Sequence, residues 1–175
     1  MKVAIIGTNG LPASYGGFET LADHLTSNLK DDFDFFVFCS KTKKEHRLKS
    51  YNNANLLYIP LKANGWQSIF FDSISILYSL LFFDILLILG PTSAGALTFL
   101  NSILFKKKII VNYGGLEWKR DNHSKIQQVF AKFNCFVATK FSHHNIVDNF
   151  SLSTVLQKEF NLKNCEIIEY GGDHV

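Results

Sequence analysis

Short apolar runs and helical patterns alternate along this chain from one end to the other. Val3, Ala4, Ile5 and Ile6 form an unbroken apolar run that stops at Gly7, the pattern of a strand covered on both faces. Phe18, Leu21, Ala22, Leu25 and Leu29 then recur at i, i+3, i+4, i+7 and i+11, which predicts an amphipathic helix. The aromatic run 33–39 predicts a second strand. A polar, Lys-rich loop follows over 40–53, and 56–59 predicts a third strand ending at Pro60. Residues 66–83 read as a helix with Ser68, Asp72, Ser75 and Ser79 on one narrow stripe and almost everything else apolar. Such a helix is mostly buried, or it faces a partner or a bilayer.

A strand over 84–89 is punctuated by Gly90-Pro91, and Thr92 or Ser93 is expected to cap a helix running to Phe105. Strands over 109–112, 144–147 and 165–170 alternate with two further helices. Ile126, Val129, Phe130, Phe133, Val137 and Phe141 mark the first, 152–160 is the second, and their Phe residues are expected in the core. The alternation predicts an α/β fold, a doubly wound parallel sheet with helices on both faces. Right-handed crossovers then gather the strand-to-helix loops on one edge, where open α/β sheets bind ligands. The loops of interest are 7–17, 40–53, 90–93 and 113–123. The domain is expected to span 1–170, and Gly171 onward reads as a linker with no closing helix.

Composition narrows the function classes. The 175 residues are 47% hydrophobic and include 17 Phe, ample for a core. The net charge of +3 is mild, and no nucleic-acid partner is expected of it. Cys39, Cys135 and Cys165 are far apart and form no CxxC, which argues against a disulfide framework or structural zinc and suits a reducing cytoplasm. The first residues carry no small-residue cleavage pattern, so a signal peptide is not expected. Asp72 and Asp84 interrupt the most apolar stretch, 69–89, well short of the roughly 20 apolar residues of a membrane span.

The first loop, Gly7 to Gly17, lies between a strand and a helix. Paired glycines at a helix start leave N–H groups uncovered at the positive end of the dipole, a ready anion site. A turn that needs positive φ beside close strand-helix packing explains the same glycines equally well. The spacing is not GxGxxG, and the second strand ends in Cys39-Ser40-Lys41 with no acidic residue for a ribose. Both facts disfavour a dinucleotide-dependent oxidoreductase, including one that would place Lys41 at a 2′-phosphate.

Two longer motifs are more specific. GTNGLPASYGGFETLADHL (7–25) and VNYGGLEWKRD (111–121) closely resemble the N-terminal half of bacterial glycosyltransferase family four enzymes, within them the rhamnosyltransferase-like subgroup. The resemblance covers essentially all 175 residues. It implies the GT-B fold, two Rossmann-like domains facing across a cleft, with the nucleotide sugar held mainly by a C-terminal domain that this chain lacks. It further implies that Gly16, Gly17 and Asn9 face the donor diphosphate, that Glu117 is the catalytic-site carboxylate, and that Tyr15, Trp118, Lys119 and Arg120 contact the acceptor. From the residues alone, 113–121 also reads as a solvated first helical turn with Trp118 packed inward. Asn9 stands where the subgroup often has Arg, and Gly114 where it usually has Asp, so a loop charge and a polar pocket contact are replaced.

The implied activity is retaining transfer of a sugar such as rhamnose from a nucleotide sugar, dTDP-rhamnose for example, to a saccharide acceptor carried on a lipid diphosphate. The setting is cell-surface polysaccharide synthesis, capsule or O-antigen, at the inner face of the membrane. No metal and no cofactor beyond the donor are expected, and the fragment alone is expected to be inactive. A non-catalytic module that holds a saccharide or a partner transferase is the alternative. The basic loop with Lys41, Lys43, Lys44, Arg47 and Lys49, helped by the apolar helix 66–83, also suggests peripheral membrane contact. His143 and His144 begin a strand and point to opposite faces, so a structural role is expected of them.

Overall fold

The computed structural model describes residues 1–14, 16–41, 46–121, 123–162 and 165–169. Tyr15, Lys43, Lys44 and residues 170–175, which include the expected linker, lie outside them. Eight strands form one sheet: β1 (Lys2–Ile6), β2 (Asp34–Cys39), β3 (Ser50–Tyr51), β4 (Ala54–Tyr58), β5 (Ile85–Leu89), β6 (Lys108–Tyr113), β7 (His144–Val147) and β8 (Cys165–Ile167). Their order is β3-β4-β2-β1-β5-β6-β7-β8. Every pairing is parallel except β3 with β4. The fold is the expected doubly wound α/β sheet. From β1 the chain moves outward through β2 and β4, then returns to place β5 on the other side of β1. A crevice therefore opens beyond the carboxyl ends of β1 and β5.

The short β3 lies inside the span expected to be loop. It pairs Ser50 with Asn55 and Tyr51 with Ala54 around Asn52 and Asn53, whose φ values are 47° and 62°. Two left-handed residues make the hairpin turn that matches strand twist, and Asn tolerates that conformation.

Each face of the sheet has its own core. Helix α1 (Gly17–Asn28) covers one face, where Ala22 meets Val3, Ile5, Val37, Leu87 and Leu89. The other face carries α2 (Gln67–Phe82), the segment 95–105, α4 (Lys125–Phe141) and α5 (Phe150–Phe160) over Ala4, Ile6, Leu86, Ile88 and Val111. Instead of one helix, 95–105 is a 3-10 turn (Gly95–Leu97), a short α3 (Thr98–Leu100) and a π turn (Asn101–Phe105). Neither Thr92 nor Ser93 caps it. The Asn101 side chain closes it instead, accepting from the Lys107 N–H and donating to the Lys107 carbonyl, both at 2.7 Å.

Two helices are oriented against simple expectation. The stripe Asp72, Ser75 and Ser79 of α2 faces the sheet together with Phe71, Ile76 and Leu80, and its larger apolar surface faces outward. On α4 the buried residues are Ala131, Asn134, Cys135, Ala138 and Thr139. Ile126, Val129 and Phe133 are 82%, 70% and 56% exposed, which corrects the expectation that this apolar stripe is core. Close approach is the cause. A Cβ on Gly95 would stand 2.8 Å from the Asn134 carbonyl oxygen and 3.1 Å from the Ala138 Cβ, so only small residues fit that side of α4. The Asn134 Oδ1 also accepts the Ala96 N–H at 2.9 Å. Among the described residues no helix is long and apolar enough to cross a membrane.

Candidate functional site

The loops after β1, β5 and β6 meet over the crevice and enclose a cavity of about 370 Å³, within the size range of small-ligand pockets. Gly7 sets its back wall. At φ 94° its absent Cβ would overlap the Leu89 carbonyl oxygen, so β1 and β5 can approach only because the residue is glycine. Phe18, on the first turn of α1, forms the floor, and its ring lies under Gly90 and Gly114. A Cβ on Gly114 would stand 2.7 Å from the Phe18 ring, which excludes a larger side chain here unless the ring shifts.

Gly16 and Gly17 behave differently. Gly16, at φ 113°, is the N-cap of α1 and makes no side-chain cap, and a Cβ on it would overlap the Glu19 carboxylate. Gly17 lines the cavity, and nothing lies within 4 Å of where its Cβ would be. The first turn of α1 thus borders the cavity without a capping side chain, the arrangement of a helix end that receives an anion. Asn9 lies outside the cavity lining, with its backbone N–H and Nδ2 donating to Glu19 Oε1 at 2.9 and 3.1 Å. Its donors hold Glu19 against the loop.

The second motif divides at the 3-10 turn Glu117–Lys119. Glu117 and Arg120 line the cavity and pair with each other at 2.6 Å, Oε1 to Nη2. Trp118 instead turns inward, 4% exposed, with its ring 5.1 Å from that of Phe160. Lys119 points away to Glu159 on α5, 2.6 Å distant, and Lys132 joins the same carboxylate at 2.8 Å. Those two ammonium groups hold the Glu159 carboxyl down at about 2. Glu117 and Arg120 therefore share the cavity with Gly17, whereas Trp118 and Lys119 belong to the packing between α4 and α5. The residues around the basic loop are occupied in part: the Arg47 guanidinium lies 5.2 Å from the Tyr58 ring centre. His143 accepts the Ile109 N–H on Nδ1 at 3.1 Å, a structural contact.

The sequence reading passed over the most unusual group of the cavity. Asp72, from the second turn of α2, is 7% exposed and lines the cavity with Ser93. The Ser93 hydroxyl donates to its Oδ2, while Oδ1 is buried without a protein partner. Burial pushes the carboxyl up to about 7, against the opposing effect of the Ser93 hydrogen bond. The available signal was an acid in an otherwise apolar helix, at the end nearest the loops. Cys135 also reaches the cavity, but burial pushes its thiol up to about 12, so it is an inert wall. The Tyr113 hydroxyl donates to Asn145 Oδ1 at 3.1 Å beneath the cavity and is likewise pushed well above its ordinary range by burial.

The site thus offers uncapped N–H groups and a guanidinium for negative charge, with two carboxylates and a hydroxyl for polar hydrogens. The family model described as Domain of unknown function (DUF1972) matches residues 1–173. The chain belongs to that family. The match takes in both motifs, the whole sheet and every residue that lines the cavity, so the crevice is part of the family's domain. No curated protein matches the chain.

Proposed function

We propose that the crevice of this DUF1972 domain is the acceptor-side half of a glycosyltransferase site. The observation that carries the reading is the meeting of Gly17, Arg120, Glu117, Asp72 and Ser93 around one cavity at the switch point. The open N-terminus of α1 and the Arg120 guanidinium suit the diphosphate of a nucleotide sugar. Glu117 and the free oxygen of Asp72 suit saccharide hydroxyls, as charge-assisted acceptors. Glu117 holds a reacting hydroxyl in position, while Asp72, with its carboxyl near neutrality, is able to hold or release a proton at Oδ1.

The resemblance of 7–25 and 111–121 to the rhamnosyltransferase-like subgroup supports a finer reading: rhamnose or a similar hexose, passed from a nucleotide sugar such as dTDP-rhamnose to a saccharide on a lipid diphosphate. On this reading the enzyme is a retaining transferase of cytoplasmic polysaccharide synthesis. On the same reading a second domain, facing the crevice, holds the nucleoside of the donor.

The test is an amide-resolved NMR titration of the chain with dTDP-rhamnose, with a rhamnoside and with NADPH. The expected result is shifts at Gly17, Ser93, Gly115 and Arg120 with the first two ligands. Shifts with the rhamnoside alone would make the domain a saccharide-binding module. Shifts of the same amides with NADPH alone would overturn the transferase reading.

A further inference from the structure

The helices on the more heavily covered face of the sheet end in an apolar outer surface. On α2, Phe70, Ile74 and Leu81 are 55%, 47% and 59% exposed; on the next segment Leu104 is 66% exposed; on α4, Val129 and Phe133 are 70% and 56% exposed. The three pieces are neighbours: α2 packs on 95–105, and 95–105 packs on α4. At 1.5 Å per residue and roughly 8–10 Å between axes, they form a surface of about 25 by 20 Å. That area reaches the range of roughly 300–600 Å² for the largest apolar patch of an ordinary monomer.

Charge decides what fits it. No Asp or Glu occurs in 85–116 or in 122–147. The one acid of α2, Asp72, is buried against Ser93, and Asp84 just beyond the helix accepts the Lys2 N–H. Exposed Lys106 and Lys108 follow the π turn, and exposed Lys125 and Lys140 lie in the first and last turns of α4, with the Lys140 ammonium 5.1 Å from the ring centre of outward Phe136. The opposite face is different in kind, since α1 carries half-buried Asp23 and is followed by exposed Asp31, Asp32 and Asp34. A second copy docked by two-fold symmetry would bring lysines against lysines. A bilayer containing anionic lipid offers hydrocarbon to the rings and negative potential to the lysines together.

We infer that the outer face of α2, 95–105 and α4 docks on an anionic bilayer surface, lying in the interface without crossing it. The orientation follows from α2. Its first turns reach the cavity through Ser68 and Asp72, and Trp66, just before the helix, is 71% exposed. Docking therefore brings the mouth of the cavity beside the membrane plane, within reach of a head group whose tail stays in the lipid. The docking does not depend on the transferase reading.

Trp66 is its reporter. The chain has two tryptophans, and Trp118 is only 4% exposed, so a change in emission on adding vesicles reads Trp66. With phosphatidylcholine vesicles containing phosphatidylglycerol, the expected result is a blue shift of Trp66 and co-sedimentation, both reversed by salt. Lys106→Gln, Lys108→Gln and Lys140→Gln should each weaken partitioning about fivefold. Phe70→Ser combined with Leu81→Ser should weaken it more than tenfold with the circular dichroism spectrum unchanged. If that double variant unfolds, the lipid and salt dependence of the unaltered chain still decides. Equal binding to neutral vesicles, or no binding, would overturn the inference. So would a dimer in light scattering that Phe70→Ser with Leu81→Ser abolishes.

Discussion

Helices α1 and α2 each bring one buried carboxylate to the cleft end of the sheet, and the two are handled in opposite ways. Glu19 on α1 is 6% exposed and takes two N–H donors from Asn9 onto one oxygen. Asp72 on α2 is 7% exposed and takes one hydroxyl from Ser93, leaving Oδ1 without a partner. The first is a loop fastener. The second is a buried polar atom left open toward a cavity, an arrangement that costs stability and persists where a ligand completes it. Equal burial therefore says little about role, and the partners decide it.

The largest expected effect breaks this contrast at Asp72. Its ordinary value is 3.8 and burial raises it to about 7, so between those pH values the folded chain holds a proton that the unfolded chain has lost. Stability should then fall as pH rises through that window. Asp72→Asn should remove the penalty and stabilise the chain by up to about 4 kcal/mol at pH 8, with little change at pH 4. Thermal melting at the two pH values checks it, and loss of rhamnoside binding in the stabilised variant would mark the group as functional.

Glu117→Gln comes next. It keeps the shape at the cavity and should weaken saccharide binding by about ten- to a hundredfold while moving stability by about 0.5 kcal/mol or less. Calorimetric titration beside a melting curve separates the two effects. Glu19→Ala should do the reverse, costing about 1–3 kcal/mol in denaturant unfolding because the Asn9 donors lose their acceptor. Gly17→Val tests the open helix end. With free space at the Cβ position the fold should survive, and affinity for a nucleotide diphosphate should drop about tenfold. The smallest effect belongs to outward Phe133, where Phe133→Ser should shift unfolding by less than about 0.5 kcal/mol. A large loss there would return that ring to the core.

Much of this was legible in the sequence, for identifiable reasons. The strands of a sheet covered on both faces are apolar throughout, so 3–6, 84–89 and 109–112 stood out as short runs against helical spacing. The crevice loops followed from the alternation alone. Gly17 stood out as half of a glycine pair at a helix start, and Glu117 only through the resemblance of its motif. What a period cannot say is which side of a helix meets the sheet. On α1 the half-buried Phe18, Leu21 and Leu25 pack against the core around fully buried Ala22, so there the apolar stripe does meet the sheet. On α4 the tight approach at Gly95 reverses the choice, and that neighbour is about 40 residues away in sequence. Trp118 and Lys119 went inward or sideways for a similar reason, since Phe160 and Glu159 wait for them on α5.

One ring joins the parts of the cleft. Phe18 belongs to the first turn of α1, yet its ring is the nearest neighbour of the space above Gly90 and Gly114, in the loops after β5 and β6. The two glycines are notches, and the ring is the key seated in both. A ligand that draws on the Gly17 N–H pulls on the residue next to the key, and any displacement of the ring changes the room at both notches at once. Through this one ring the start of α1 meets both of the other loops. A side chain added at either notch must displace the ring, so its effect is passed to the first turn of α1.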